Sequence, residues 1–131
     1  MADRTDNPLE NLISAMLSVN QYSLQKTFLL VETLRREGLF YPQNLARWTP
    51  KEIGTRLRHS GYDRGCLTWL LADRLESLGR FVESVGIEEC ERVLRCGKTD
   101  EVKHFLLPVK GIGPKVLANF FALRNTSSEP D

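Results

Sequence analysis

Phe105-Leu106-Leu107-Pro108-Val109-Lys110-Gly111-Ile112-Gly113-Pro114-Lys115-Val116-Leu117-Ala118-Asn119-Phe120 is the stretch that decides the fold. It reads as an apolar helix end, a short turn and a second helix that starts at once. Gly111 and Gly113 flank one apolar residue, Ile112. Glycine permits positive φ and close approach of the backbone to a ligand. Pro114 suits the first position of a helix, where its missing N–H costs nothing. The free N–H groups at that start stand at the positive end of the helix dipole, with Lys110 and Lys115 on either side. Such a place suits an anion, phosphate above all. Ile112 is expected to plug the turn into the core. A plain helix turn with a glycine cap is the bland alternative. Gly-Ile-Gly-Pro-Lys between apolar helices, with the small Ala118 on the second, is more specific than Gly-x-Gly alone.

The chain has 131 residues, one domain's worth, and a formal net charge of +1. Its total charge therefore does not announce a nucleic-acid partner, and local patches matter more. Between Lys98 and Arg124, five Lys/Arg stand against Asp100 and Glu101. Three scattered cysteines, Cys66, Cys90 and Cys96, argue against a disulfide framework and against a Cys-rich iron–sulfur cluster. They are expected to be reduced and partly buried in a cytoplasmic protein. The first residues are charged and lack the apolar centre of a signal peptide, and no apolar run reaches membrane-spanning length.

Along the chain, Asn7-Pro8-Leu9-Glu10 opens a helix with a cap, a proline and a first-turn acid. Leu9, Leu12, Ile13, Met16 and Leu17 make its buried stripe, and it ends near Ser18. Val19 to Tyr22 is a short polar break. Ser23 caps a helix with Leu24, Phe28, Val31 and Leu34 on one face, closed by Arg35-Arg36 and Gly38. Leu39 to Trp48 holds at most a short helix. Thr49-Pro50-Lys51-Glu52 opens another, with Ile53 and Leu57 inward. After the Tyr62–Gly65 turn comes the longest helix, whose apolar face is Leu67, Leu70, Leu71, Leu75, Leu78, Phe81, Val82 and Val85. A short helix from Ile87 to Arg95 follows, and Asp100 is expected to cap the first helix of the glycine turn. No stretch alternates with period two. The expectation is one all-α domain of about seven to eight helices over residues 7–124, with residues 1–6 and 125–131 disordered.

These landmarks, in this order, resemble the helix–hairpin–helix superfamily of DNA glycosylases, the group of endonuclease III. Its early helix ends in Leu-Ser before a polar loop that wedges into DNA; here the stretch is Met16-Leu17-Ser18-Val19-Asn20-Gln21. Its central helix opens on a Gly-Tyr-type motif with Lys-Ala; here Gly61-Tyr62-Asp63-Arg64-Gly65-Cys66-Leu67, with cysteine and leucine where Lys-Ala is usual. Its hairpin is Leu-Pro followed by Gly-x-Gly-x-Lys; here Leu107-Pro108, then the extra Val109-Lys110, then Gly111-Ile112-Gly113-Pro114-Lys115. The resemblance covers residues 9–124. It implies binding of double-stranded DNA, base excision repair and a location in the cytoplasm on the nucleoid. Main-chain N–H groups around Lys110, Gly111, Ile112, Gly113 and Lys115 would hold a phosphate, with a monovalent cation at the hairpin in some relatives. Asn20 and Gln21 would contact DNA. Lys115 falls on the position of the family's nucleophile, which attacks the sugar C1′ and forms a Schiff base. In non-enzymatic modules the same lysine only contacts phosphate.

The family's essential aspartate, commonly Val-Asp after the second hairpin helix, has no match here. Glu129 and Asp131 alone stand near that distance, in a different context. The iron–sulfur cysteines are also missing, so no such cofactor is expected. The reading is thus a remnant, a piece of a longer protein, or a chain completed by a second one, in which DNA binding outlasts catalysis. Enzyme and non-catalytic binding module both stay open. His59 and His104 read as surface or helix-end residues, and Cys66 as a packing residue. Trp48 and Trp69 read as buried or half-buried. Arg56, Arg58, His59 and Arg64 read more readily as a helix surface than as a second phosphate contact.

Overall fold

The computed structural model describes residues 7–128, and among these it is all-helical, without strands. Nine helices follow in order: α1 (Pro8–Leu17), α2 (Leu24–Leu29), α3 (Val31–Arg36), α4 (Pro42–Arg47), α5 (Pro50–His59), α6 (Cys66–Val85), α7 (Ile87–Cys96), α8 (Thr99–Phe105) and α9 (Pro114–Ser128). The expected caps form. Asn7 accepts from the N–H of Leu9 and Glu10, Ser23 from Lys26, and Thr49 from Glu52.

Two helices organise the packing. α6 carries α4 and α5 on one side and also meets α7 and α1, while α1 packs against α9, α7 and α2. α1 is buried on nearly every side: Leu12, Ile13, Ala15 and Leu17 expose nothing. α4 and α6 approach closely at Gly79. A Cβ there would lie 2.6 Å from the Ala46 nitrogen and 2.7 Å from the Leu45 carbonyl carbon, so α4 touches α6 backbone to backbone. Trp69, from α6, lies across Gly54 of α5 and keeps its other face in solvent.

Tyr62 is the largest fully buried side chain. Its ring meets Tyr22 edge to face at 4.9 Å, and its hydroxyl donates to the Leu17 carbonyl at the end of α1. Burial pushes its phenol up to about 12, against the opposing pull of the Arg64 guanidinium.

Several expectations need correction. The helix foreseen after Ser23 is two, because the Leu30 N–H reaches back three residues to Thr27 and breaks the α-ladder there. Asp100 does not cap α8; Lys98 holds that position without a side-chain bond, and Asp100 lies in the first turn. Leu70 and Val85 are 45% and 38% exposed, so the buried stripe of α6 is narrower than its apolar residues suggest. Cys66 and Cys96 are exposed and only Cys90 is buried, so Cys66 is no packing residue. The tail expected from residue 125 continues as helix to Ser128. The expectations for residues 1–6 and 129–131 lie outside the described residues.

Gly79→Ala should destabilise the fold despite the better helix propensity of alanine. Overpacking costs about 1–3 kcal/mol, against roughly 1 kcal/mol recovered from propensity. Urea titration followed by far-UV circular dichroism measures the difference. Tyr62 makes a pH prediction. Its folded pKa stands above its unfolded value, so its neutral form is favoured in the fold. That stability is fully present below about pH 10 and is lost as pH rises toward 12. Tyr62→Phe should lower stability at neutral pH by about 1–3 kcal/mol, since the buried Leu17 carbonyl loses its donor. The gap between the two proteins should shrink above pH 10.

Candidate nucleic-acid interface

The glycine turn joins α8 to α9 through residues 106–113. Leu106 and Val109 are buried and anchor it, while Leu107 points outward. The Val109-Lys110 addition is thus taken up by burying Val109. The Lys110 N–H donates to Ser77 Oγ of α6 (3.0 Å), and the Lys110 Nζ pairs with Asp73 (3.2 Å). Gly111 has φ 82°, and a Cβ there would lie 2.4 Å from Arg74 Cδ. Conformation and space both demand glycine at this position. Gly113 differs: its φ is not in the left-handed region, and a Cβ would meet open space. Ile112 is half-buried and packs on the core, as expected of a plug, and its remaining surface lines the groove.

α9 starts at Pro114, and its first ladder bond runs from Leu117 N–H to the Gly113 carbonyl (3.1 Å). The N–H groups of Lys115 and Val116 precede that bond and have no intrahelical partner. Among the described residues, no acceptor is recorded for these or for the N–H groups of Gly111 and Gly113.

These donors face an open groove of about 720 Å³. One wall is the hairpin, Val109 and Gly111 through Val116. The other is Val19, Asn20 and Gln21 from the α1–α2 connection, and Arg74 of α6 completes the lining. Residues about ninety positions apart in sequence therefore share one surface. The cause is local. Asn119 stands four residues after Lys115, on the same face of α9. Its amide donates to the carbonyls of Ala15 (3.3 Å) and Ser18 (2.8 Å) at the end of α1. That bond brings the start of α9 beside the 19–21 turn.

The turn itself is unusual. Tyr22 N–H bonds the Val19 carbonyl (3.2 Å), and both residues between have positive φ: 55° at Asn20 and 70° at Gln21. Positive φ at both central positions marks a type I′ turn. The side chains of Asn20 and Gln21 are exposed.

Of the residues singled out in the sequence, Asn20, Gln21, Gly111, Ile112, Gly113 and Lys115 share the groove. Lys110 does not line it, and its charge is countered by Asp73. Arg74 was missed. It sits in mid-helix between Asp73 and Leu75, and nothing in its neighbourhood says that the hairpin docks there. Among the described residues Arg74 and Lys115 are in no ion pair. The other basic cluster is structural. Arg56 pairs with Glu52 (2.6 Å) and stacks over Trp48, Arg58 pairs with Asp63 (3.5 Å), and Arg64 is bound to main-chain carbonyls. His59 and His104 are exposed, in the last turns of α5 and α8.

No described helix is long and apolar enough to cross a membrane. Comparison of the chain with protein-family models, with curated proteins and with solved structures gives no match.

Proposed function

We propose that this chain grips double-stranded DNA by the hairpin of Gly111 to Val116, in the manner of base excision repair proteins, with Lys115 as the candidate nucleophile. One observation carries the reading. The hairpin's main-chain donors, two cations outside ion pairs and the polar Asn20–Gln21 turn line a single open groove. Free N–H groups at a helix start suit a phosphate oxygen, and Lys115 and Arg74 add charge on either side. An exposed polar turn beside that grip is placed to enter a base stack.

The chemistry divides into two demands. Removing a base requires the Lys115 amine to bond C1′ while the C1′–N bond breaks and the base leaves with the electron pair and takes a proton. Positive charge builds on the sugar, and a carboxylate normally offsets it. Among the described residues lining the groove there is none. An abasic site demands less. Its ring-opened C1′ is an aldehyde, and an amine condenses with it by loss of water to a Schiff base. The groove therefore fits grip on duplex DNA and reaction at abasic sites better than base removal by this chain alone. The missing carboxylate also favours the second reading, a module that holds DNA and cuts nothing.

Gly113→Glu tests the grip. The side chain has room, so the fold should stand, and its carboxylate would occupy the phosphate position. Duplex affinity should fall at least about tenfold, equivalent to about 1.4 kcal/mol. Unchanged affinity at physiological salt, measured by fluorescence anisotropy, would end the hairpin assignment. The salt dependence of wild-type binding counts the phosphates held.

Borohydride trapping on an abasic duplex separates the two readings. The enzyme reading expects a covalent adduct that Lys115→Ala abolishes. No adduct from a wild-type protein that binds the duplex leaves the binding module. An adduct that persists in Lys115→Ala removes Lys115 from the role of nucleophile.

A further inference from the structure

The backbone of the Asn20–Gln21 turn is held in a conformation its residues do not favour. Asparagine tolerates the left-handed region, glutamine less so, and neither has the freedom of glycine there. Such backbone persists where its surroundings over-determine it, and it gathers at functional sites. Here a single side chain bonds the turn twice, beside the turn's own Tyr22 N–H to Val19 carbonyl bond. Arg64 donates from Nη1 to the Val19 carbonyl (2.7 Å) and from Nη2 to the Asn20 carbonyl (2.5 Å). The same guanidinium lies 4.8 Å from the Tyr22 ring centre, with its Nη1 3.3 Å from the Tyr62 hydroxyl. Stacking and a rigid fork fix where it points, and a lysine supplies neither.

Both bonds to the turn go to main chain. Among the described residues no hydrogen bond ties the side chains of Asn20 or Gln21 to the protein, and both line the groove. Arg64 itself does not line it. The arrangement fixes the backbone while leaving two polar side chains free to meet a ligand.

We infer that Arg64 is a positioning residue: it locks the Asn20–Gln21 turn into the groove, and the locked turn reads an interruption in the base stack. It thereby sets the preference for interrupted over continuous duplex, while the hairpin sets the grip on phosphate. The consequence for DNA rests on the reading proposed above; the geometry does not. A turn locked in advance loses little freedom on entering a gap in the stack, whereas a relaxed turn must be reordered at the moment of binding.

The test uses the full chain, isotope-labelled, as wild type, Arg64→Met and Arg64→Lys. The geometry is read by NMR from the intraresidue HN–Hα contacts of Asn20 and Gln21, which are short at positive φ. Binding is read with two duplexes that differ only by one tetrahydrofuran abasic analogue. In Arg64→Met the short contacts should disappear. Affinity for the continuous duplex and its salt slope should stay within about twofold. Preference for the interrupted duplex should fall about tenfold, the scale of one strained backbone position. Arg64→Lys keeps a cation under the turn and should move the same way by less; it decides the matter should the methionine variant fail to fold. Short contacts retained in a folded variant overturn the positioning role, whatever the DNA result. Relaxed contacts with unchanged preference overturn the link to selectivity. A wild type that binds neither duplex refutes the DNA reading and with it that link, and the contacts then decide the geometry alone.

Discussion

The carbonyl end of α1 is the constraint from which the rest follows. A helix leaves its last four carbonyls without intrahelical donors, and burying them unpaired is costly. α1 is buried almost throughout, so water cannot serve this end. The protein supplies donors from nearby Ser18 and from two distant residues, Tyr62 and Asn119, and Thr27 in turn bonds the Ser18 hydroxyl. Ser18 Oγ donates to Ser14 (2.7 Å), which leaves the Thr27 hydroxyl to donate to Ser18 Oγ (2.7 Å). Tyr62 serves Leu17, and Asn119 serves Ala15 and Ser18. Satisfying one buried helix end therefore draws together α2, the α5–α6 connection and the first turns of α9. The groove is the outer surface of that junction.

This gives the groove a satisfied floor and an open face. The groups beneath it are spent on each other: no buried side-chain nitrogen or oxygen among the described residues lacks a partner. The groups above it, the N–H donors of the hairpin and the Asn20 and Gln21 side chains, are left over. Fully satisfied buried polar networks specify one arrangement strongly, since each member lost strands another. On the reading proposed above, a site holding a backbone phosphate at fixed distance from a base stack would gain from such a floor.

The local signals were legible in the sequence because they depend on neighbours in the chain. Asn7, Ser23 and Thr49 cap as their positions require, and Pro114 opens α9 directly after the glycines. The hairpin was legible for the same reason: Gly111 needs positive φ and a bare Cα within a few residues of its helix. The tertiary facts were not. Nothing near Arg74 shows that its stem lies under Gly111, and nothing near Lys110 shows that Asp73 takes its charge. Leu70 and Val85 fall on an apolar period yet face solvent, because the neighbours of α6 cover only part of that stripe. Asn20-Gln21 reads as any polar break. Its left-handed backbone is bonded by Arg64, forty-four residues away from Asn20 and in contact with two tyrosine rings.

The division of charge bears on what this surface can discriminate. Two cations are engaged outside the groove, Lys110 with Asp73 and Arg64 with main-chain carbonyls, while Lys115 and Arg74 line it outside ion pairs. On the reading proposed above, two free charges and a handful of amides would give a modest, salt-sensitive hold on phosphate. A hold of that size cannot by itself choose one place on a long duplex, since every phosphate offers the same contact. Choice has to come from something that one position offers and its neighbours do not. Among the described residues lining the groove, the polar groups outside the hairpin and its cations are those of the Asn20–Gln21 turn. A cradle built this way therefore depends for its selectivity on the wall opposite the hairpin, and that wall is the part whose backbone is held against its own preference.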